Sequence, residues 1–245
     1  MRIPRIYHPT PLVDQVELTL TEAAANHLTR VLRLGPGATI TLFDGHGGEY
    51  TAELLEAGKR HAVVKLGAHS PFEVESPLHI TLAQGISKGD RMDYTIQKAV
   101  ELGVSRIVPL NTERSVVNLR GDRLEKKLRH WQGIIIGACE QCGRNRLPEL
   151  VAPRSLAQWL SEPGDALSLT LDHRAETTIP ALASSHSPHR VTLLVGPEGG
   201  LSESERTLAS HSGYQGIRLG ARVMRTETAA LVAVSVLQAF WGDLR

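Results

Sequence analysis

The sequence predicts an α/β protein with a parallel sheet, preceded by a smaller unit made mainly of strands. Two observations support this fold class. From residue 78 onward, short apolar runs of strand length alternate with longer segments of helical periodicity, as in a chain of βαβ units. Before residue 70, shorter runs alternate apolar and polar residues around glycine-rich turns, which is typical of antiparallel strands. A chain of 245 residues allows one or two domains with a real core.

Residues 1–70 are expected to form a small β-barrel. A first strand is predicted over 2–7, and a helix over 22–34 begins at its cap, Thr21. Two alternating runs then flank the turn Gly45-His46-Gly47-Gly48, which is a hairpin signal, and a third run can pair next. These three strands are predicted over 38–44, 49–56 and 61–66.

The α/β domain is expected over 78–245, after a linker over 71–77 that carries two prolines. The unit from Leu78 to Leu110 has the length and order of a βαβ crossover, so right-handed parallel connections follow. Strands are predicted over 78–84, 105–110, 167–171, 191–195 and 217–219. Helices are predicted over 92–102, 122–140 and 226–241, with a further one beginning at Ser202. A domain of this length accommodates five or six parallel strands with helices on both faces of the sheet.

Two loops at predicted strand ends have the composition of a ligand site. Gly196-Pro197-Glu198-Gly199-Gly200 follows a buried strand, and its glycines let a ligand approach backbone amides and carbonyls closely. It is neither a dinucleotide fingerprint nor a phosphate loop, so a nucleotide phosphate is not its expected ligand. The second loop, from Gly220, carries Arg222 and Arg225, whose charges are costly at a helix mouth unless they contact something charged. An ordinary strand-to-helix turn is the alternative for the first loop.

The helices after these loops are well delimited. Ser202 can cap the first, with Glu205 as the reciprocal partner of a capping box. Thr226 is expected to cap the second, which runs to about Trp241 and has almost no polar face. Such a helix must be buried on all sides by its own domain or by a second subunit. We therefore expect a homodimer.

The composition excludes several classes of protein. With 41% hydrophobic and 22% charged residues, the chain is neither disordered nor membranous. No apolar run reaches the roughly 18 residues of a transmembrane helix and no signal peptide is recognisable, so a cytoplasmic protein is expected. The 27 basic and 26 acidic residues give no global nucleic-acid signal, although arginines cluster locally. Cys139 and Cys142 have C-x-x-C spacing without a second ligand pair, which favours free thiols over a metal site, with a redox role as the alternative.

Four motifs in this order carry a resemblance to a known family. They are Arg2-Ile-Pro-Arg-Ile-Tyr-His8, Ala138-Cys-Glu-Gln-Cys-Gly-Arg144, Val195-Gly-Pro-Glu-Gly-Gly200 and Leu219-Gly-Ala-Arg-Val-Met-Arg-Thr-Glu-Thr-Ala-Ala230. The chain resembles the bacterial 16S ribosomal RNA uridine-N3 methyltransferases of the SPOUT superfamily over its whole length. The resemblance implies a PUA-like barrel that helps to bind RNA, a C-terminal trefoil knot, S-adenosylmethionine (SAM) as methyl donor and an obligate homodimer. Met224 stands where leucine is more usual, a volume-conserving change.

The resemblance also implies a cofactor pocket formed by three loops. Its residues in this sequence would be Leu171, Leu194, Gly196, Pro197, Gly199, Gly200, Leu219, Gly220, Met224 and Thr226. Uridine N3 is a poor nucleophile while protonated, so the enzyme must accept that proton and stabilise charge spreading onto O2 and O4. The hypothesis is that Arg225 stabilises the uracil anion and that Glu227 or Glu198 takes the proton. The alternative is that Glu227 only favours its helix N-terminus and Glu198 only shapes its loop.

Basic and aromatic side chains supply the candidate RNA contacts, since cations neutralise phosphates and rings stack on bases. The candidates are Arg5, Tyr7, Arg30, Arg114, Arg144, Arg146 and Arg222. Two other functions remain open at this point. One is a SPOUT enzyme that modifies another base or a ribose 2′-hydroxyl. The other is a non-catalytic RNA-binding assembly factor, which would not bind SAM.

Overall fold

The structure, a computed structural model, describes residues 3–12, 16–115, 119–162, 164 and 166–244. Two compact units are present. The first contains the described residues up to Glu75 together with Ile136–Leu147, and the second contains Ser76–Ile135 and the chain from Pro148 onward. The domain limits expected from sequence, 1–70, 71–77 and 78–245, stay a prediction. Within the described residues, every helix is too short or too polar to cross a bilayer.

The first unit is built on a five-stranded sheet in the order β1-β3-β4-β5-β2. Its strands are β1 (Arg5–Tyr7), β2 (Glu17–Thr19), β3 (Thr39–Phe43), β4 (Glu49–Ala57) and β5 (Ala62–Ser70). The predicted hairpin is confirmed, because β3 and β4 pair antiparallel with Thr41 opposite Thr51. β5 pairs antiparallel with β4, and β1 pairs parallel with β3. The proposed beginning of the first strand, near Arg2, lies outside the described residues.

The helix of the first unit is shorter than predicted. α1 (Glu22–Asn26) begins after Thr21, whose hydroxyl accepts from the Ala24 amide at 3.2 Å, so the predicted cap is confirmed. A π-helical turn over His27–Val31 continues it and buries Leu28. The prediction extended the helix to residue 34. Arg33 instead takes a left-handed conformation, with φ of 55°, which ends the helical path before that point.

The second unit contains a parallel sheet in the order β12-β10-β11-β6-β7-β8, with β9 also paired to β7. Its strands are β6 (His79–Gly85), β7 (Arg106–Asn111), β8 (Glu149–Leu150), β9 (Arg154–Ser155), β10 (Leu167–Leu171), β11 (Arg190–Val195) and β12 (Gln215–Ile217). Its described strand pairs are parallel, as the βαβ pattern predicted. The carboxyl ends of β6, β10, β11 and β12 therefore point to one edge of the sheet.

Six helices of the described residues belong to this unit, the second of them only up to Ile135. They are α2 (Asp90–Glu101), α3 (Gly121–Cys142), α4 (Leu156–Leu160), α5 (Ile179–Ala183), α6 (Glu203–His211) and α7 (Thr226–Trp241). The short helices α4 and α5 were not predicted. The last strand was predicted over 217–219 but lies over 215–217. It leaves the ladder at Arg218, whose amide donates to the Thr177 carbonyl at 2.9 Å instead of to a neighbouring strand.

The last helix, α7, differs from the prediction in its cap and is only partly buried by this chain. Thr226 is its first residue and not its cap, which is Arg225 without a side-chain bond. The Thr226 hydroxyl donates to the Gly196 carbonyl at 2.6 Å and accepts from Gln84 Nε2 at 3.0 Å, so its hydrogen bonds go to residues outside α7. One face of α7 is buried in the unit, with Val234 and Leu237 fully covered. Phe240 is 43% exposed, so this chain alone does not bury the helix on all sides.

Candidate active site

A cavity of about 270 Å³ lies in the second unit at the carboxyl ends of β10, β11 and β12. The three loops that the family resemblance implied line it, and the start of α7 completes it. The lining residues are Leu171, Asp172, His173, Val195, Gly196, Pro197, Glu198, Gly199, Gly200, Ile217, Arg218, Leu219, Gly220, Arg222, Val223, Met224, Thr226 and Ala229. This is the edge at which open parallel sheets bind ligands.

Nine of the ten predicted cofactor residues line this cavity, and Leu194 does not. Leu194 is fully buried in an apolar cluster with Ala83 and Val108. Successive side chains of a strand point to opposite faces of the sheet, and the side chain of Leu194 is directed into that core. Direct contact of the other nine with a ligand stays a prediction. Asp172 and Arg218, which also line the cavity, were missed because isolated polar residues after short strands have no distinctive pattern.

Close backbone packing holds the first loop of the cavity. A Cβ at Gly85 would lie 2.5 Å from the Pro197 nitrogen, so the end of β6 and this loop touch through their main chains. Gly200 has a φ of 68°, which favours glycine, and its amide donates to the Pro197 carbonyl at 2.8 Å. The predicted capping box follows: Ser202 accepts from the Glu205 amide at 3.1 Å, and Glu205 accepts from the Ser202 amide at 2.8 Å.

A buried amide joins this loop to β6 and α7. Gln84 is fully buried, and its Nε2 donates to the Thr226 hydroxyl at 3.0 Å and to the Gly196 carbonyl at 3.3 Å. The Thr226 hydroxyl donates to the same carbonyl, which closes a triangle of polar contacts. Sequence reasoning missed Gln84, although a glutamine ending the apolar run from Leu78 is an unusual residue at that position. The triangle fixes Gly196 against the first residue of α7.

Glu198, one of the two candidate proton acceptors, has its carboxylate engaged. Oε1 accepts from the Lys88 amide and from the Arg91 guanidinium, both at 2.9 Å. Partial burial raises the pKa of Glu198. The backbone amides of Lys88 and Glu198 and the Arg91 side chain lower it by more than burial raises it, so the pKa lies below its ordinary value. Glu198 is therefore ionised at neutral pH and a weak base.

Glu227, the other candidate, lies in the first turn of α7 with its side chain 15% exposed. Its Oε1 is 3.9 Å from Arg91 Nε, and its Oε2 is buried without a hydrogen-bond partner in the described residues. A buried carboxylate oxygen without a donor is costly and still has its lone pairs available. The two carboxylates therefore differ: two donors hold Glu198 through Oε1, whereas Glu227 Oε2 accepts no hydrogen bond among the described residues.

The two arginines of the last loop are exposed. Arg222 lines the cavity, whereas Arg225 lies at its mouth as the residue preceding α7 and is absent from the lining. Val223, between them, is 82% exposed. An exposed apolar side chain flanked by two exposed guanidinium groups is an unusual surface for a monomer, and a charged ligand with a planar apolar part could bind there.

Two of the predicted RNA contacts face the interior of the first unit. The Arg5 guanidinium is bonded to Glu49 and Asn145 and lies 5.1 Å from the centre of the Phe43 ring. Arg144 is 4% exposed and forms a two-pronged contact with Glu75, at 3.0 Å from Nε and 2.6 Å from Nη2. The terminal nitrogens of Arg5 and the Nε and Nη2 of Arg144 are bonded to neighbours, so both side chains have a structural role, and their contact with RNA stays a prediction. Sequence could not show this, because their acidic partners are distant along the chain.

The remaining candidates are more accessible. Arg30 and Arg114 are exposed, and Arg114 donates to the Gly199 carbonyl of the cavity loop at 2.7 Å. Arg146 is 58% exposed and lies 3.7 Å from Glu73. Tyr7 is half-buried against Phe43, with ring centres 5.8 Å apart. Burial and the charge of Asp44 raise its pKa, so Tyr7 is a neutral phenol.

The cysteines are free thiols, as expected. Cys139 is buried and Cys142 is half-buried. Burial raises the pKa of Cys139 to about 12, which suppresses the reactive thiolate. Among the described residues, no cluster of three or more histidine, cysteine or acidic side chains could hold a metal ion.

The parallel sheet with a glycine-lined cavity at its carboxyl edge and the preceding small β unit define a ligand-binding α/β protein of two units. A sequence profile for an RNA methyltransferase domain matches residues 74–238, and one for an RNA methyltransferase PUA domain matches residues 20–67. The chain belongs to the RNA methyltransferase family.

Several proteins of this family are similar to the chain over its whole length. The ribosomal RNA small subunit methyltransferase E of Buchnera aphidicola from Schizaphis graminum is 34% identical over 99% of this chain and 98% of the relative. A Legionella pneumophila methyltransferase solved with bound SAM is 44% identical, with a TM-score of 0.95 over 100% of both chains. The ribosomal RNA small subunit methyltransferase E of Neisseria gonorrhoeae, solved with SAM, is 38% identical, with a TM-score of 0.92 over 100% of both chains.

Proposed function

We propose that this protein is a SAM-dependent methyltransferase that modifies N3 of a specific uridine in 16S ribosomal RNA of the small subunit. The observation that carries the proposal is the cavity, which brings together three predicted loops at adjacent strand ends. Relatives similar over the whole chain are solved with SAM or bear the name small subunit methyltransferase E.

The cavity residues fit SAM chemically. Leu171, Leu219 and Met224 offer an apolar slot for adenine, and the main chain at Gly196 and Gly220 offers hydrogen-bonding groups without side-chain obstruction. Asp172 offers a carboxylate for hydroxyl or ammonium groups. When bound, SAM supplies an electrophilic methyl group on its sulfonium sulfur.

The protein must hold the uracil ring and manage one proton. In our proposal Arg225 stabilises the negative charge that spreads onto O2 and O4 as N3 loses its proton. Glu227 is the better supported acceptor, because its Oε2 has no donor in the described residues whereas Glu198 is held by Lys88 and Arg91. Glu198 then acts by fixing the cavity loop. This assigns different tasks to the two carboxylates, although both stand close to Arg91.

RNA binding is proposed for the exposed cations, with the PUA-like unit as a second contact region. The candidates that retain accessible groups are Arg30, Arg114, Arg146 and Arg222. Tyr7 stays a candidate for stacking. Arg5 and Arg144 are omitted, because their guanidinium groups are bound internally.

A homodimer, a trefoil knot and a cytoplasmic location complete the proposal. The dimer is supported by α7, on which Phe240 is 43% exposed beside half-buried Val232 and Val236. An apolar strip of this kind is typical of a subunit interface. Light scattering at micromolar concentration should give twice the monomer mass of 26.7 kDa.

The decisive experiment uses 16S ribosomal RNA from cells that lack this protein. Purified protein and SAM should add one methyl group to one uridine, and mass mapping with fragmentation should place it on N3. A methyl group on a ribose or on another base would establish a different acceptor. If calorimetry detected no SAM binding, the enzymatic proposal would fail and an RNA-binding assembly factor would be favoured.

A further inference from the structure

Arg91, in the first turn of α2, reaches two carboxylates that belong to different parts of the second unit. Its Nη1 donates to Glu198 at 2.9 Å, and its Nε lies 3.9 Å from Glu227 Oε1. Glu198 belongs to the loop after β11, and Glu227 belongs to α7. One guanidinium therefore connects α2 to two elements that line the cavity, the loop after β11 and the start of α7.

The segment that leads into α2 is fitted to the cavity loop in other ways. The main chain of Gly85 touches Pro197, and the Lys88 amide donates to the same Glu198 oxygen as Arg91 does. Ile86 and Ser87, between them, are 1% and 4% exposed. The loop between β6 and α2 is thus a tightly packed support for the loop after β11, and Glu198 is the side chain that joins them.

The charges give Arg91 a specific task. Glu198 and Glu227 both lie within ion-pair distance of it, and two like charges near one point repel each other unless a cation stands between them. Glu227 is largely covered, so its charge is poorly screened by solvent. A planar guanidinium can donate hydrogen bonds to two carboxylates at once, and an ammonium group is less suited to this geometry.

We propose that Arg91 is a positioning residue that fixes the loop Gly196–Gly200 and the start of α7 relative to each other through Glu198 and Glu227. The inference rests on the proposed function, because the two elements it joins line the proposed SAM cavity. Arg91 is not assigned a catalytic role, since it is absent from the residues found to line that cavity.

The test compares Arg91→Met with the matched control Lys98→Met. Lys98 lies on the same helix and bonds to Glu101 at 2.8 Å, so the control also removes a cation and an ion pair from α2. Hydrogen exchange of the protein without cofactor is followed in peptides that cover 86–92 and 196–202. We expect faster exchange there for Arg91→Met and wild-type exchange for Lys98→Met.

Cofactor binding supplies the second readout. In calorimetry, Arg91→Met should weaken SAM binding by about three- to tenfold, as expected for loss of a partly exposed charge network. Arg91→Lys should recover part of that loss. Adding Glu198→Gln to Arg91→Met should weaken binding less than the product of the two single effects, because both variants break the same contact.

These measurements test the role of Arg91 without depending on methyl transfer. If Arg91→Met matches Lys98→Met in both exchange and SAM affinity, Arg91 is not a positioning residue. If exchange is unchanged but RNA affinity falls with a smaller dependence on salt, Arg91 is a phosphate contact instead. The proposed function is tested independently by methyl transfer with the wild-type protein, whose failure would leave the exchange result standing.

Discussion

Two loops meet at the same cavity and are held very differently. The loop Gly196–Gly200 is fixed by Gln84, Thr226, Arg91 and Arg114, which all bond to its main chain or to Glu198. The loop Leu219–Arg225 presents Arg222, Val223 and Arg225 to solvent. A preformed surface suits a small ligand that binds in one pose, whereas exposed guanidinium groups suit a large polyanion that arrives from outside.

This contrast assigns the two loops to different stages of the proposed reaction. Changes in the fixed loop should act through SAM affinity and stability. Changes in the exposed loop should act through RNA binding and the chemical step, with the fold intact.

Arg225→Ala should give the largest effect. Loss of a cation that stabilises developing charge should lower kcat by about 10²–10³-fold, while SAM affinity measured by calorimetry stays at the wild-type value. Arg129→Ala is the control, since Arg129 is an exposed residue of α3 paired with Glu125 at 3.7 Å. A near wild-type kcat for Arg225→Ala would remove this residue from catalysis and would break the assignment of chemistry to the exposed loop.

Glu227→Gln and Glu198→Gln should separate the two carboxylates. We expect Glu227→Gln to lower kcat by about 10²-fold, because the amide cannot accept the N3 proton. Glu198→Gln should instead weaken SAM binding with a smaller loss of kcat, because its carboxylate holds the loop through Lys88 and Arg91. The two variants are compared by their single-turnover rates at saturating SAM. A larger loss of rate for Glu198→Gln than for Glu227→Gln would make Glu198 the proton acceptor.

The contrast also shows what could be predicted from sequence. The hydrophobic periodicity predicted the positions of several elements. The bounds predicted for β10 are the observed ones, and Ser202 caps α6 as predicted. Glycine-rich strand ends located the cavity, because parallel strands must bring their carboxyl ends to one edge. These features depend on local residues and on general rules of topology.

Features that depend on distant partners could not be predicted. Arg5 and Arg144 were expected to contact RNA, which stays a prediction, and the sequence did not indicate that Glu49 and Glu75 form ion pairs with them. Thr226 was expected to cap α7, but its hydroxyl bonds to Gly196, thirty positions away along the chain. Gln84 and Arg91 carried no motif at all. Their roles arise only when β6, the loop after β11 and α7 are brought together.

Gly85→Ala tests the packing beneath the fixed loop. The added methyl group would overlap the Pro197 nitrogen at 2.5 Å, so either β6 or the loop must shift. Overpacking of this kind should lower the free energy of unfolding by about 1–3 kcal/mol and weaken SAM binding. Gly133→Ala is the control, because a Cβ there meets no atom within 4 Å. Equal stability of the two variants in urea titrations would contradict the close packing.

The smallest effect concerns pH and the carboxylate of Glu198. Its pKa is lower in the folded protein than its ordinary value, so its ionised form stabilises the fold above about pH 4.5, and that stabilisation is lost as the pH falls further. Because the Glu198 side chain is 30% exposed and solvent screens its charge, the contribution should be under about 1 kcal/mol. Glu198→Gln should therefore melt slightly below wild type at pH 7, and the difference in Tm should shrink as the pH falls below about 4.5 and the wild-type carboxyl takes up a proton. A difference that stays unchanged over that acid range would show that Gln disturbs the loop by its shape, and that the ion pair with Arg91 does not fix the loop.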